Sequence, residues 1–186
     1  MSKNTIGIFV GSLRKDSFSR SVANYFVANA PHDVEFKILE INQLPIYNQD
    51  LESAPPVEWI KFREQVNALD GLLFVTPEHN RSLPAALINA LDVASRPYGA
   101  NAWNGKPGGV VSVSPGALGG FGANHHLRQV LKFLNVLTLQ QPEAYIGDIM
   151  ASLDTDGVVA DDSLKGFLKQ YQNALVKWVS VINMGK

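Results

Sequence analysis

The sequence predicts a doubly wound α/β fold, a three-layer sandwich with five parallel strands in the order 2-1-3-4-5. Three observations predict it. Short apolar bursts alternate with helical patterns about five times along the chain, which is the signature of a parallel sheet covered on both faces. At least one burst, Leu72-Leu73-Phe74-Val75, is apolar at every position, as a strand buried on both faces must be. The 186 residues, 46% hydrophobic and 18% charged, suffice for one ordinary domain with a full core, so residues 1–186 are expected to form a single domain.

The elements follow in order. Ile6-Gly7-Ile8-Phe9-Val10 is the first strand, and it ends in the polar loop Gly11 to Asp16. A helix is expected from Ser17, with Phe18, Val22 and Phe26 on one face. Val34 to Ile41 alternates as a second strand. A proline-rich loop then leads to a helix marked by Trp59, Phe62, Val66 and Leu69. Strand three, at Leu72, precedes a helix from about Pro84 to Ala94, with Pro84 at its first position. Val110 to Val113 is strand four, followed by a glycine-rich loop and a helix carrying Leu127, Val130, Leu131 and Leu134. A fifth strand falls between Leu137 and Ile146, and a long helix runs from near Asp162 to about Ile182. Trp59 and Trp178 sit in helical patterns and are assigned to the core. Trp103 lies in the loop Tyr98 to Lys106, where an exposed aromatic would serve an interface.

Composition excludes several functions. With no cysteine there is no disulfide, thiolate metal site or cysteine nucleophile, which fits a reducing compartment. A net charge of −1 without blocks of like charge gives no nucleic-acid footprint and no polybasic membrane segment. No apolar run approaches the roughly 20 residues of a membrane span, and the start Met1-Ser2-Lys3-Asn4 lacks the pattern of a signal peptide. The expectation is a cytoplasmic protein. His125 and His126 are adjacent, so they do not share a helix face, and no metal cluster is expected.

Ligands of such sheets bind beyond the carboxyl ends of the strands, where the strand order reverses. That rule selects three loops. Gly11-Ser12-Leu13-Arg14-Lys15-Asp16-Ser17-Phe18-Ser19 offers hydroxyls, an arginine fork and a helix N-terminus, the groups that hold a phosphate monoester. The same residues also read as helix caps and a solvated charge. Neither G-x-x-x-x-G-K-[ST] nor G-x-G-x-x-G occurs, so a mononucleotide phosphate fits better than ATP or a dinucleotide. Thr76-Pro77-Glu78-His79-Asn80-Arg81-Ser82-Leu83-Pro84 is a proline-stiffened loop suited to present backbone amides and the Asn80 amide to a flat ring; it also reads as an ordinary turn. Ser114 to Gly122 holds four glycines within residues 116–122, which lets backbone approach a ligand closely.

Together Gly11-Ser12-Leu13-Arg14, Pro77-Glu78-His79-Asn80 and Ser114-Pro115-Gly116-Ala117-Leu118-Gly119-Gly120 resemble the NADPH-dependent FMN reductase family, in particular its quinone and chromate reductase branch. Asn89-Ala90-Leu91-Asp92 and His126-Leu127-Arg128-Gln129 are similar to it as well. The resemblance implies a flavodoxin-like fold, FMN as cofactor, NADPH or NADH as donor, a quinone or chromate as acceptor, and a homodimer with the flavin near its interface; homotetramers also occur in such proteins. It implies that Ser12, Arg14, Ser17, Phe18 and Ser19 hold the phosphate end, that Pro77, Glu78, His79 and Asn80 line the isoalloxazine, and that Ser114 and Gly116 reach the ring from the third loop. No catalytic acid or base is required, because the flavin carries the hydride chemistry. Arg81 is a candidate guide for an anionic cofactor or acceptor, and equally a surface or interface salt bridge. One departure stands out: the family usually has tyrosine where this chain has His79, a smaller ring of a residue type that changes charge near neutrality. Three other readings remain: a reductase that releases reduced FMN as a diffusing product, a flavodoxin-type electron carrier, and a redox-sensing or structural α/β domain without turnover. A carrier normally docks through strong surface charge, which a net charge of −1 does not supply.

Overall fold

In a computed structural model, which describes residues 3–185, strands and helices alternate as the sequence predicts. β1 (Asn4–Val10), β2 (Val34–Leu39), β3 (Gly71–Thr76) and β4 (Pro107–Val113) form the body of a parallel sheet ordered β2-β1-β3-β4. The fifth position is shared by two short pieces. β5 (Leu137–Thr138) pairs with Pro107 and Gly108 of β4, and β6 (Ala144–Ile146) pairs with Val111 to Val113. The single fifth strand expected between Leu137 and Ile146 is therefore interrupted. Pro142 lies in the gap, where a residue without an N–H cannot continue a ladder.

The sheet is covered on both faces. α1 (Phe18–Ala28) and α5 (Asp162–Met184) pack on one side; α2 (Val57–Asn67), α3 (Ala85–Ala94) and α4 (Phe121–Phe133) pack on the other. All positions of β3 and β4 are buried, and residues along each strand alternate between the two cores. Phe9, Leu72, Phe74 and Val110 face α2–α4, while Ile8, Val10, Leu73, Val75 and Val111 face α1 and α5. Helix starts obey their local chemistry. Ser17 and Asp161 accept the Arg20 and Leu164 N–H groups as N-caps of α1 and α5. Pro84, expected at the first helical position of α3, is instead its N-cap, one residue earlier.

Trp103 corrects an expectation. It is fully buried, edge-on to Phe9 with ring centroids 5.1 Å apart, and its indole N–H donates to Leu91 O at 3.0 Å. The loop carries its aromatic inward because Phe9, Phe62 and Phe74 leave a ring-sized space beneath it. An interface role for Trp103 is thereby removed.

On the other face, Tyr171 is wholly buried and donates its phenol to Val110 O at 3.1 Å. Burial pushes its ionisation far above the ordinary phenol range. Gly109 makes room for it: a Cβ there would lie 2.7 Å from the Tyr171 oxygen. The pinned ring cannot swing away, so Gly109→Ala is expected to destabilise the fold by about 1–3 kcal/mol, read as a lower urea midpoint at unchanged slope. An unchanged midpoint would show that the α5 packing yields.

Candidate functional site

β1, β3 and β4 end at one level, with Val10 beside Val75 and Thr76 beside Ser112, so the three loops selected from the sequence leave the same edge of the sheet. A cavity of about 620 Å3 opens there, within the usual size range of small-molecule sites. Its wall includes Ser12, Arg14, Ser17, Phe18 and Ser19 from the first loop and Pro77, Glu78 and His79 from the second. Asn80, Arg81, Ser114 and Gly116 are not in that wall. Val113 and Pro115 represent the third loop instead, and Pro84 to Ala86 at the start of α3 complete it. Those α3 residues were missed because nothing polar marks them in the sequence. A larger groove of about 790 Å3 runs along the outer face of α1 to residues 150–159. It shares Ser17 and Phe18 with the edge cavity but none of the second or third loop, so the chemistry is assigned to the smaller cavity.

The cavity wall at the start of α1 is rich in donors. The first amides of α1, at Phe18 and Ser19, have no acceptor within the helix and carry the positive end of its dipole. Ser12 Oγ accepts the Arg14 N–H at 3.4 Å, and the Arg14 guanidinium lies 4.5 Å from the centre of the Phe18 ring. Hydroxyls, free amides and a guanidinium beside one cavity form a donor set that suits a phosphate dianion.

The second loop is a two-residue hairpin turn. The His79 N–H donates to Ser82 O at 3.0 Å and the Ser82 N–H to His79 O at 2.8 Å. Asn80 and Arg81 between them both have left-handed backbone, with φ of 51° and 64°. Arg81 Nη1 donates to Glu78 Oε1 at 3.0 Å, so the guide proposed for anions is paired with a neighbouring carboxylate, its own side chain 76% exposed. The third loop is held from within: Ser114 Oγ accepts the Gly116 N–H at 3.1 Å. Gly119, with φ of 60°, lies against the backbone of Tyr145, and a Cβ there would come within 2.6 Å of the Tyr145 carbonyl carbon.

The histidines take separate partners. His126 Nδ1 shares a 2.7 Å hydrogen bond with Ser82 Oγ. His125 Nε2 lies 3.0 Å from the Tyr145 hydroxyl; burial first, and then Glu143, raise that phenol above its ordinary value. Among the described residues no group of three or more His, Asp or Glu side chains could hold a metal. Two of the remaining segments singled out by resemblance are structural. Asn89 accepts the Tyr47 N–H and donates to Leu44 O and Pro45 O, tying the proline-rich loop to α3. Arg128 donates to Asn124 Oδ1 and Leu139 O, while buried Asn124 donates to Ser112 Oγ and Ala144 O.

The model of the NADPH-dependent FMN reductase family matches residues 4–150. The chain belongs to that family. A quinone reductase from Pseudomonas putida is 51% identical over 178 residues, covering 95% of both chains. A 2-hydroxy-1,4-benzoquinone reductase from a Burkholderia species is 41% identical, covering 94% of this chain and 95% of its own. Among solved structures, the flavoenzyme NAD(P)H:(acceptor) oxidoreductase of Paracoccus denitrificans superposes with a TM-score of 0.89 at 37% identity, covering 95% of this chain and 97% of that one. A flavodoxin from Pseudomonas aeruginosa shares the fold alone, with a TM-score of 0.56 at 19% identity. Membership makes the chain an NAD(P)H-dependent oxidoreductase with FMN as its cofactor. The donor set at α1 and the adjoining cavity fit that cofactor. No helix among the described residues is long and apolar enough to cross a membrane.

Proposed function

We propose that residues 1–186 work as one cytoplasmic FMN-binding domain that passes electrons from NAD(P)H to quinones, with chromate among the further acceptors. The observation that carries this reading is that the serine-rich start of α1 and the Pro77–His79 segment face a single cavity at the switch point of the sheet. The names of the Pseudomonas putida and Burkholderia relatives, which align with nearly the whole chain, support a quinone as acceptor.

The chemistry that FMN supplies when bound is acceptance of hydride from NAD(P)H and delivery of two electrons to the acceptor, the two substrates using one place in turn with ping-pong kinetics. The protein binds and orients. Ser12, Ser17, Ser19 and Arg14, with the α1 amides, hold the phosphate. Pro77, Glu78 and His79 from the cavity wall, and Asn80, Ser114 and Gly116 from the loops beside it, present backbone and amide groups to the ring. Arg81, with its guanidinium largely in solvent, draws in anionic donors and acceptors. Exposed Phe121 and His125 and half-buried Tyr145 form an aromatic cluster beside the third loop, with Phe121 and His125 centroids 4.2 Å apart. That cluster, with Leu118 at 65% exposure, supports a homodimer that covers the cofactor edge, and a homotetramer would pair two such dimers.

Purified protein is expected to show a flavin spectrum that bleaches on anaerobic addition of NADPH and returns when a quinone is added. A colourless protein that takes up no FMN would overturn the reading. Arg14→Ala removes a charge-assisted contact worth about 1.5–3 kcal/mol, so FMN should bind about 10- to 100-fold more weakly; equal affinity in a titration would take Arg14 out of the phosphate site. His79→Tyr should retain FMN and change the relative kcat/KM among quinones of different size. Identical constants across such a series would show that His79 does not wall the acceptor site.

A further inference from the structure

α4 begins without a cap of its own. Its N-cap, Gly120, has left-handed backbone at φ 74° and no side chain to accept the orphan amides of the first turn. A carboxylate from another loop does so. The Ala123 N–H donates to Glu78 Oε2 at 3.0 Å, across 45 residues of chain. The other oxygen of Glu78 accepts from Arg81 Nη1 at 3.0 Å, and the Glu78 side chain is only 14% exposed. Gly122 allows the approach: a Cβ there would meet Glu78 Oε2 at 2.8 Å and Arg81 O at 3.1 Å. Three residues beyond Ala123, on the same face of α4, His126 holds Ser82 Oγ at 2.7 Å. The second loop is thus fastened to one face of α4 at both ends of its turn. The turn needs fastening, since left-handed backbone is unfavourable for an L-residue and both Asn80 and Arg81 adopt it.

We propose that Glu78 is a positioning residue: its carboxylate latches the second loop to the N-terminus of α4 and so sets the gap between the second and third loops that receives the flavin ring. The proposal deepens the FMN reading and rests on it for its consequence in binding. A carboxylate is the apt group, because the positive end of the α4 dipole favours negative charge there. Its side chain is committed to the amide and the guanidinium, so Glu78 shapes the cavity through the backbone it fixes. Pre-organising the gap lowers the ordering cost that the ligand would otherwise meet on binding.

The test compares Glu78→Ala and Glu78→Gln with the unaltered chain in two readouts. Amide hydrogen exchange on the FMN-free protein follows the latch itself. With Glu78→Ala, the amides of 79–82 and of 121–124 are expected to exchange faster together. Loss of such a cap also lowers the population of the competent loop, so FMN should bind on the order of tenfold more weakly. Glu78→Gln keeps an oxygen for the Ala123 N–H and should stay within about threefold of the unaltered chain. Unchanged exchange and affinity in Glu78→Ala would overturn the latch. So would acceleration confined to the turn with α4 unaffected, or a Gln variant as impaired as the Ala variant. Failure of the unaltered chain to take up FMN would sink the cofactor reading instead, and the exchange comparison would still decide the latch.

Discussion

Ile8, Phe9 and Val10 of β1 lie in register with Leu73, Phe74 and Val75 of β3, which in turn lie beside Gly109, Val110 and Val111 of β4. This parallel alignment of strands buried on both faces is the constraint on which the site depends. It brings three ladders to an end at one level, and the chain must leave each through a loop on the same edge. Moving one strand by a residue would turn its side chains from one core to the other. The two cores, with Phe74 and Trp103 on one side and Tyr171 on the other, therefore hold the loops in place from beneath.

Above that platform the loops share their work unevenly. The first carries a helix start that needs no long-range support, because Ser17 caps α1 locally. The second and third depend on each other. One has a turn of left-handed residues, the other a helix without a cap, and a single carboxylate answers both needs. The division matches the chemistry each end must meet. A phosphate is satisfied by charge and amides over a range of positions, whereas a flat ring needs two walls at a fixed separation.

Much of this was legible in the chain. Alternation of apolar bursts with helical periods points to the parallel sheet, five strands make 2-1-3-4-5 the common doubly wound order, and the switch-point rule then selects the three loops. Ser12, Arg14, Ser17, Phe18, Ser19, Pro77, Glu78 and His79 do meet at one cavity. What escaped was long-range. Trp103 sits in a stretch without periodicity, and only the rings of Phe9, Phe62 and Phe74 draw it inward. The fifth strand is too short in each piece to leave a pattern, since β5 has two residues and β6 three. The Glu78–Ala123 bond joins a side chain to a backbone amide, and an amide has no residue-type signature to read. Ser82 and His126 leave no more trace, because neither belongs to a spacing rule that would pair them.

Arg81 occupies a backbone geometry that glycine would adopt without steric cost. A chain selected only to be robust would place glycine there, as two-residue hairpins commonly do. Keeping arginine retains a side chain that engages the Glu78 carboxylate, at the expense of a less comfortable turn. Robustness and loop architecture therefore pull in opposite directions at this one position, and efforts to make the protein more heat-tolerant by relaxing the turn would give up the Arg81–Glu78 contact at this edge of the sheet.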